Sequence, residues 1–313
     1  MAYPVEIIGE ERTRQLLERC GALNYYSHKA DINGLCVELR SQNKDFIDMW
    51  SDNFYHMSDH VRPHARIFCV EDDSGLRAEY DVSSFTMFLF NFDYYGWIKS
   101  VALGMAGNIL EREHGIYSVH GAAIDIDGRG VTIIAPSKTG KTTQSWGLLR
   151  MDNSHLISDD WYFVQFGSGR PRITGSEKNC YIDADIGDVW EEYMPLVTGV
   201  RFDNKGRGIG NVRWIRGEGA VIPKSSVSVV ILLKRDREDP ALERRLGTDE
   251  ALSYLVGHDF CNPHQLVRGE KDVALRREFF RRFLSECTVF MVNTVCTAEE
   301  TQERIRRLIG EVI

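Results

Sequence analysis

The chain has 313 residues, with 38 lysines and arginines against 46 aspartates and glutamates and a formal net charge of −8. That balance excludes a globally basic nucleic-acid binder, because the summed field repels a polyanion at long range. With 43% apolar and 27% charged residues the composition also excludes a disordered chain, and the length suits one large domain or two smaller ones. No apolar run approaches the roughly 20 residues that cross a bilayer. Met1 to Leu17 carries Glu6, Glu10, Glu11, Arg12 and Arg14 in place of an apolar signal core. A cytoplasmic protein without membrane contact is expected. The seven cysteines are scattered, with no C-x-x-C pair, and read as reduced thiols.

In chain order, a helix fits Glu10 to Cys20, stopped by Gly21. Gly34 to Leu39, Ala65 to Glu71 and Ala78 to Phe92 group β-formers as strands do. His56, His60 and His64 recur at intervals of four, a helical metal-ligand spacing. Pro63 disfavours helical geometry at Arg62, so no metal is expected there. Trp97, Val101, Met105 and Ile109 mark a helix ended by Gly115. Next come strands at Gly121 to Ile126 and Gly130 to Ile134, joined by Asp127-Gly128, a hairpin dipeptide. Further strands are expected at His155 to Ser158, Trp161 to Phe166, Ser226 to Leu233 and Thr288 to Val295. Helices are expected at Thr142 to Met151, Asp249 to Val256, Lys271 to Ser285 and Ala298 to Ile309. Strands followed by helices imply an α/β fold with a mixed sheet.

Ala135-Pro136-Ser137-Lys138-Thr139-Gly140-Lys141-Thr142 fits the relaxed Walker A pattern, with Ala in place of the first Gly. A match of that form arises by chance in roughly one chain in thirty of this length, so the context has to decide. A β-rich segment precedes it and a plausible helix follows, the arrangement that aims consecutive backbone N–H groups and a helix N-terminus at phosphate oxygens. Ser137 to Thr143 would line the phosphates, with Lys138, Thr139 and Gly140 in the loop. Lys141 would reach the β and γ phosphates as a point charge, and the Thr142 hydroxyl would hold Mg²⁺. ATP and Mg²⁺ are thus the expected cofactors.

Seventeen positions after Thr142, the apolar segment Leu156-Ile157-Ser158 ends in Asp159-Asp160. One helix and a return loop fit the gap, which brings the two acids beside the phosphate site. Two adjacent carboxylates can divide the work: Asp159 as a metal contact and Asp160 as the base that takes a proton from an attacking hydroxyl.

Val119-His120-Gly121, the hairpin at Asp127-Gly128, the Ala135–Thr142 loop and Ile157-Ser158-Asp159-Asp160 together resemble the catalytic domain of the HPr kinase/phosphorylase-like group. That group is related in fold to phosphoenolpyruvate carboxykinases. Arg207-Gly208-Ile209-Gly210 is similar to an Arg-Gly-x-Gly segment of the same group. The resemblance covers roughly His120 to Gly210 and implies an α/β P-loop core, taken as residues 96–313; the residues before it, 1–95, match no part of the group, and their helix and strands read as a small α+β region of unnamed role. The resemblance implies that Lys141 and Thr142 bind triphosphate and metal, that the acid pair supplies metal contact and base, that His120 stabilises transferred charge, and that Arg207 belongs to the active site. Homo-oligomers occur in the group. Three features depart from its pattern: Lys138 stands where a glycine is usual, Thr142-Thr143 is closer to the carboxykinase loop than to the Ser-Glu of typical HPr kinases, and Lys205 stands where the bacterial kinases carry a metal-arranging acid.

The expected activity is transfer of the γ-phosphoryl group of ATP to a hydroxyl, such as a serine of a protein, a peptide or a small molecule. Carboxykinase-type phosphoryl transfer and a non-catalytic nucleotide-binding switch stay open as alternatives. The acceptor itself is not written in the sequence.

Overall fold

The computed structural model describes residues 3–313. Met1 and Ala2, the first residues of the 1–95 region and of the stretch Met1 to Leu17, lie outside the described residues. The protein is mixed α/β and divides into two compact units, residues up to His114 with Ser176–Asn179, and Gly115–Gly175 with Cys180–Ile313. Among the described residues no helix is long and apolar enough to cross a membrane.

The first unit carries a seven-stranded mixed sheet in the order Val5–Ile7, Arg77–Asp81, Thr86–Phe90, Ala65–Val70, Leu35–Ser41, Tyr26–Ile32 and Tyr55–His56. Helix Glu10–Gly21 begins with Glu10 and Glu11, which suit the positive end of the helix dipole. It lays Leu16 and Cys20 into a cluster with Phe68, Val70, Phe88 and Phe90. The expected strand Ala78 to Phe92 is instead a hairpin. The Asp81 carboxylate accepts from the Ser83 amide at 2.9 Å and from the Ser83 and Ser84 hydroxyls at 2.6 and 2.7 Å, closing a local turn that reverses the chain. The three spaced histidines share no helix: His56 sits on its short edge strand, and His64 Nδ1 accepts from the Cys36 amide at 2.9 Å.

The break between the units falls after His114, whereas the sequence reading opened the second domain at residue 96. Helix Tyr95–Ile109 is apolar almost all round, so it needs cover on every face. It packs on strands Leu35–Ser41 and Ala65–Val70 and thereby joins the first unit. Residues 176–179 belong to that unit too. The Glu177 carboxylate, whose side chain is buried, pairs with the buried Lys99 at 3.1 Å and accepts from Asn53 Nδ2 at 3.0 Å.

The second unit is built on a nine-stranded mixed sheet. Its main path runs Ser154–Ser158, Ala122–Ile126, Arg129–Ile134, Lys224–Lys234, Arg172–Gly175, Trp161–Gln165 and Ile116–His120. Strand Thr288–Asn293 lies parallel on Lys224–Lys234, and Glu243–Leu246 lies antiparallel on Thr288–Asn293. The Asp127-Gly128 hairpin forms as read, with φ of 52° and 78° at the two turn residues. The long central strand is apolar on both faces because both are covered. Val229, Ile231 and Leu233 join the core that contains Trp146, Ile305 and Leu308. Val230 and Leu232 join the core under Phe279, Phe280 and Phe283. Helices Lys141–Leu148 and Ala298–Gly310 supply the first cover, and Thr248–Gly257 and Glu270–Ser285 the second.

Candidate active site

Arg129–Ile134 and Lys224–Lys234 are parallel neighbours. Ser154–Ser158 runs the same way, being antiparallel to the strand that is itself antiparallel to Arg129–Ile134. Their carboxyl ends therefore open at one sheet edge, the place where open α/β sheets bind ligands. The segment Ala135 to Gly140 leaves the first of these strands there and enters helix Lys141–Leu148. Lys138 takes φ of +66° and Gly140 φ of +94°. Lys138 thus adopts the left-handed geometry that glycine serves elsewhere, at roughly 1–2 kcal/mol for a residue with a side chain. The Thr139 hydroxyl donates to the Pro136 carbonyl at 2.7 Å, and the Thr139 carbonyl accepts from the Thr294 hydroxyl at 2.8 Å, so the loop is tied both to itself and to the end of strand Thr288–Asn293.

Asp159 and Asp160 form the link between Ser154–Ser158 and Trp161–Gln165, and they point to different partners. Asp159, buried, accepts from the Trp146 indole N–H at 3.1 Å, with the Ser145 hydroxyl 3.4 Å away. Both partners lie on the helix that follows the loop. Asp160 Oδ1 receives Lys141 Nζ at 2.6 Å and His120 Nε2 at 3.2 Å. Lys141 Nζ also donates to the Asp159 carbonyl at 3.3 Å. His120 is delivered by strand pairing: it lies opposite Trp161, and the Gly121 amide donates to the Asp160 carbonyl at 3.0 Å. Gly121 has to be glycine, because a Cβ there would stand 2.6 Å from the Ile133 carbonyl.

The other ring nitrogen of His120, Nδ1, donates to the Cys261 carbonyl at 2.7 Å. Both ring nitrogens therefore face oxygen atoms, the Cys261 carbonyl on one side and the Asp160 carboxylate on the other. Asp259, Phe260 and Cys261 all take φ of 53°, and this left-handed run turns the Cys261 carbonyl toward the ring. The Cys261 thiol is buried, and burial pushes its pKa up to about 12.

Of the residues singled out from the sequence, Lys141 and His120 both meet Asp160, and Asp159 joins them through its carbonyl, which accepts from Lys141, while its carboxylate turns to Trp146 and Ser145. Ser137, Lys138, Thr139, Gly140, Thr142 and Thr143 line the loop and the first helical turn, where the Thr143 carbonyl accepts from Trp190 Nε1 at 2.8 Å. Arg207 sits on a separate two-stranded sheet, Arg207–Gly210 with Cys180–Asp183. There its guanidinium pairs with Asp183 through Nε at 2.7 Å and Nη2 at 3.1 Å. Gly208 of that segment is required by close approach, since a Cβ there would stand 2.7 Å from the Arg201 carbonyl. Trp146, Ser145, the Cys261 carbonyl and Thr294 carried no signal in the sequence, because each acts through a partner 13 to 155 residues away.

The oxygen donors Thr142 and Asp159 suit a hard divalent cation. Mg²⁺ typically takes one or two carboxylates and leaves its other positions to water and phosphate. Among the described residues no group of three or more His, Cys, Asp or Glu is arranged to hold a metal alone, so a phosphate-bearing ligand would have to complete the set.

No family model matches the chain. The HPr kinase/phosphorylase of Limosilactobacillus reuteri strain DSM 20016 is 25% identical over 146 residues, 47% of this chain and 40% of that protein. The HPr kinase/phosphorylase of Limosilactobacillus reuteri subsp. reuteri strain JCM 1112 matches to the same identity and extent. The similarity thus takes in less than half the length of these relatives. Among solved structures, the Hpr(Ser) kinase/phosphatase from Coxiella burnetii aligns with a TM-score of 0.35 at 18% identity, over 62% of this chain and 92% of that one. The kinship that the loop, the hairpin and the acid pair suggest is therefore met in sequence: the chain is similar to HPr kinase/phosphorylase over 146 residues.

Proposed function

We propose that the chain is an ATP- and Mg²⁺-dependent kinase that transfers the γ-phosphoryl group to a hydroxyl, with a serine of a protein, a peptide or a small molecule as the acceptor. The observation that carries this is the meeting of Lys141, Asp160 and His120 beside the left-handed loop. A phosphoryl transfer enzyme needs a cation for the donor phosphates and a base within reach of the attacking proton. Here one carboxylate oxygen holds both the lysine and the histidine, so phosphate oxygens arriving on the loop compete for Lys141. Once Lys141 turns to phosphate, Asp160 is left to accept the hydroxyl proton. His120, fixed from behind by the Cys261 carbonyl, stays beside the carboxylate and offsets charge on the moving group. Thr142 and Asp159 would hold Mg²⁺, which would supply charge neutralisation to the donor phosphates.

Incubation of the protein with γ-labelled ATP and a cell extract, followed by separation of labelled protein from labelled small molecules, tests this directly. Label in protein identifies a protein kinase, and label in a small polar compound a metabolite kinase. Label in neither, with Mg-ATP still bound, favours a nucleotide-dependent switch and overturns the kinase reading.

A further inference from the structure

The loop has a second flank. Lys224–Lys234 lies parallel to the loop-bearing strand with Leu232 opposite Ile134, the last residue of that strand, so it runs on two residues past the point where the loop begins. The first residue beyond Lys224–Lys234 is Arg235, which is exposed. Its Nε donates to Thr294 Oγ1 at 3.2 Å, and the same hydroxyl, buried, donates to the Thr139 carbonyl inside the loop at 2.8 Å. An ideal Cβ on Gly140 would stand 3.7 Å from Arg235 Nη2. The guanidinium therefore lies against the same backbone turn that Lys141 leaves on its other side.

Two further features suit Arg235 to an anion. The chain after it is anchored by the fully buried Asn293, whose Nδ2 donates to the Asp236 and Asp239 carbonyls at 2.7 and 3.1 Å and whose Oδ1 accepts from the Asp236 amide at 3.0 Å. The nearby carboxylates are already engaged: Asp236 lies 3.6 Å from Lys234 Nζ, and Asp239 also pairs with Lys234. Among the described residues no carboxylate pairs with Arg235 itself. A rooted guanidinium whose Nη groups have no carboxylate partner, beside a loop of the kind that cradles phosphate, is a ready bidentate phosphate donor.

We propose that Arg235 is a phosphate-binding residue of the nucleotide site and contacts a phosphate that is not transferred. This rests on the nucleotide-dependent kinase reading above. The sheet order sets the assignment. The strand before Arg235 is one strand spacing from the loop-bearing strand, about 5 Å. It is three spacings, roughly 14 Å, from the strand that ends in Asp159 and Asp160, where the acceptor hydroxyl must meet the moving group. Arg235 therefore contributes to holding the donor and not to the chemistry.

The test uses the full chain as wild type, Arg235→Ala and Arg235→Lys, titrated with Mg-ATP and with Mg-tripolyphosphate and followed by initial rates with labelled ATP. Loss of a charge-assisted hydrogen bond should weaken both ligands by about ten- to a hundredfold in Arg235→Ala. Turnover at saturation should stay within about threefold, and Arg235→Lys should regain part of the affinity. Arg235→Ala binding Mg-ATP within twofold of wild type overturns the proposal while the kinase reading stands. So does a loss confined to turnover, or a loss for ATP that tripolyphosphate does not share. A wild-type protein that binds neither ligand overturns the kinase reading and this proposal with it.

Discussion

Replacing Asp160 with asparagine separates nucleotide binding from chemistry. The side chain keeps its shape, yet it can neither carry the charge that holds Lys141 nor accept a proton. Two unit charges about 4 Å apart at an effective dielectric of 20 attract by about 4 kcal/mol. Here the carboxylate is 26% exposed and the lysine 13% exposed, so solvent screening leaves a net value nearer about 1 kcal/mol. Removing the charge frees Lys141 for phosphate. Mg-ATP should then bind as well as to the parent or up to about fivefold more tightly. Turnover should fall by about 10²- to 10⁴-fold, the usual contribution of a positioned base. The assay is calorimetric titration with Mg-ATP, paired with single-turnover transfer of label to the acceptor found in extract. Transfer by Asp160→Asn at more than a tenth of the parent rate would refute the base assignment. A tenfold loss of affinity that appears only with Mg²⁺ would make Asp160 a metal ligand.

Four further outcomes are expected. Lys141→Ala should lose the thermal shift that Mg-ATP gives the parent, about 2.7 kcal/mol at a hundred times the dissociation constant, and an unchanged shift would remove the phosphate role of the loop. Trp146→Phe strips a hydrogen bond from the buried Asp159; it should cost about 1–3 kcal/mol in chemical denaturation and weaken Mg-ATP binding, and a variant as stable as the parent would show that the indole does not anchor Asp159. Lys138→Gly relieves a left-handed φ of +66°; set against the added chain entropy of glycine, the gain should be about 0.5–1 kcal/mol in equilibrium unfolding, and a loss would mean that the lysine side chain holds the loop. The Cys261 thiol is raised from 9.0 to about 12 by burial, so its contribution to stability is fully present below about pH 9 and is lost as pH rises toward 12, while the unfolded thiol ionises first. Above pH 9 Cys261→Ala should lose about 1.4 kcal/mol less per pH unit than the parent, and parallel pH profiles would contradict this.

Features whose physics is local were legible in the amino-acid sequence. The Asp127-Gly128 turn, the loop from Ala135 to Thr142, the helix after it and the apolar strand that ends in two acids each depend on neighbouring residues, so contiguous sequence carries them. Which side chains meet depends on strand pairing and sheet order. His120 reaches Asp160 because two strands pair, and Asp159 turns to Trp146 while Asp160 turns to Lys141, an arrangement that a one-residue shift would reverse. Thr294 and Arg235 stand at the loop because parallel strands far apart in sequence end at one edge. The Arg-Gly-x-Gly resemblance assigned Arg207 to the active site, yet the fold gives Arg207 a separate two-stranded sheet and a carboxylate partner 24 residues away. The break between the units moved from residue 95 to His114 for a similar reason: a helix apolar on all sides goes where cover exists, and periodicity cannot say which sheet provides it.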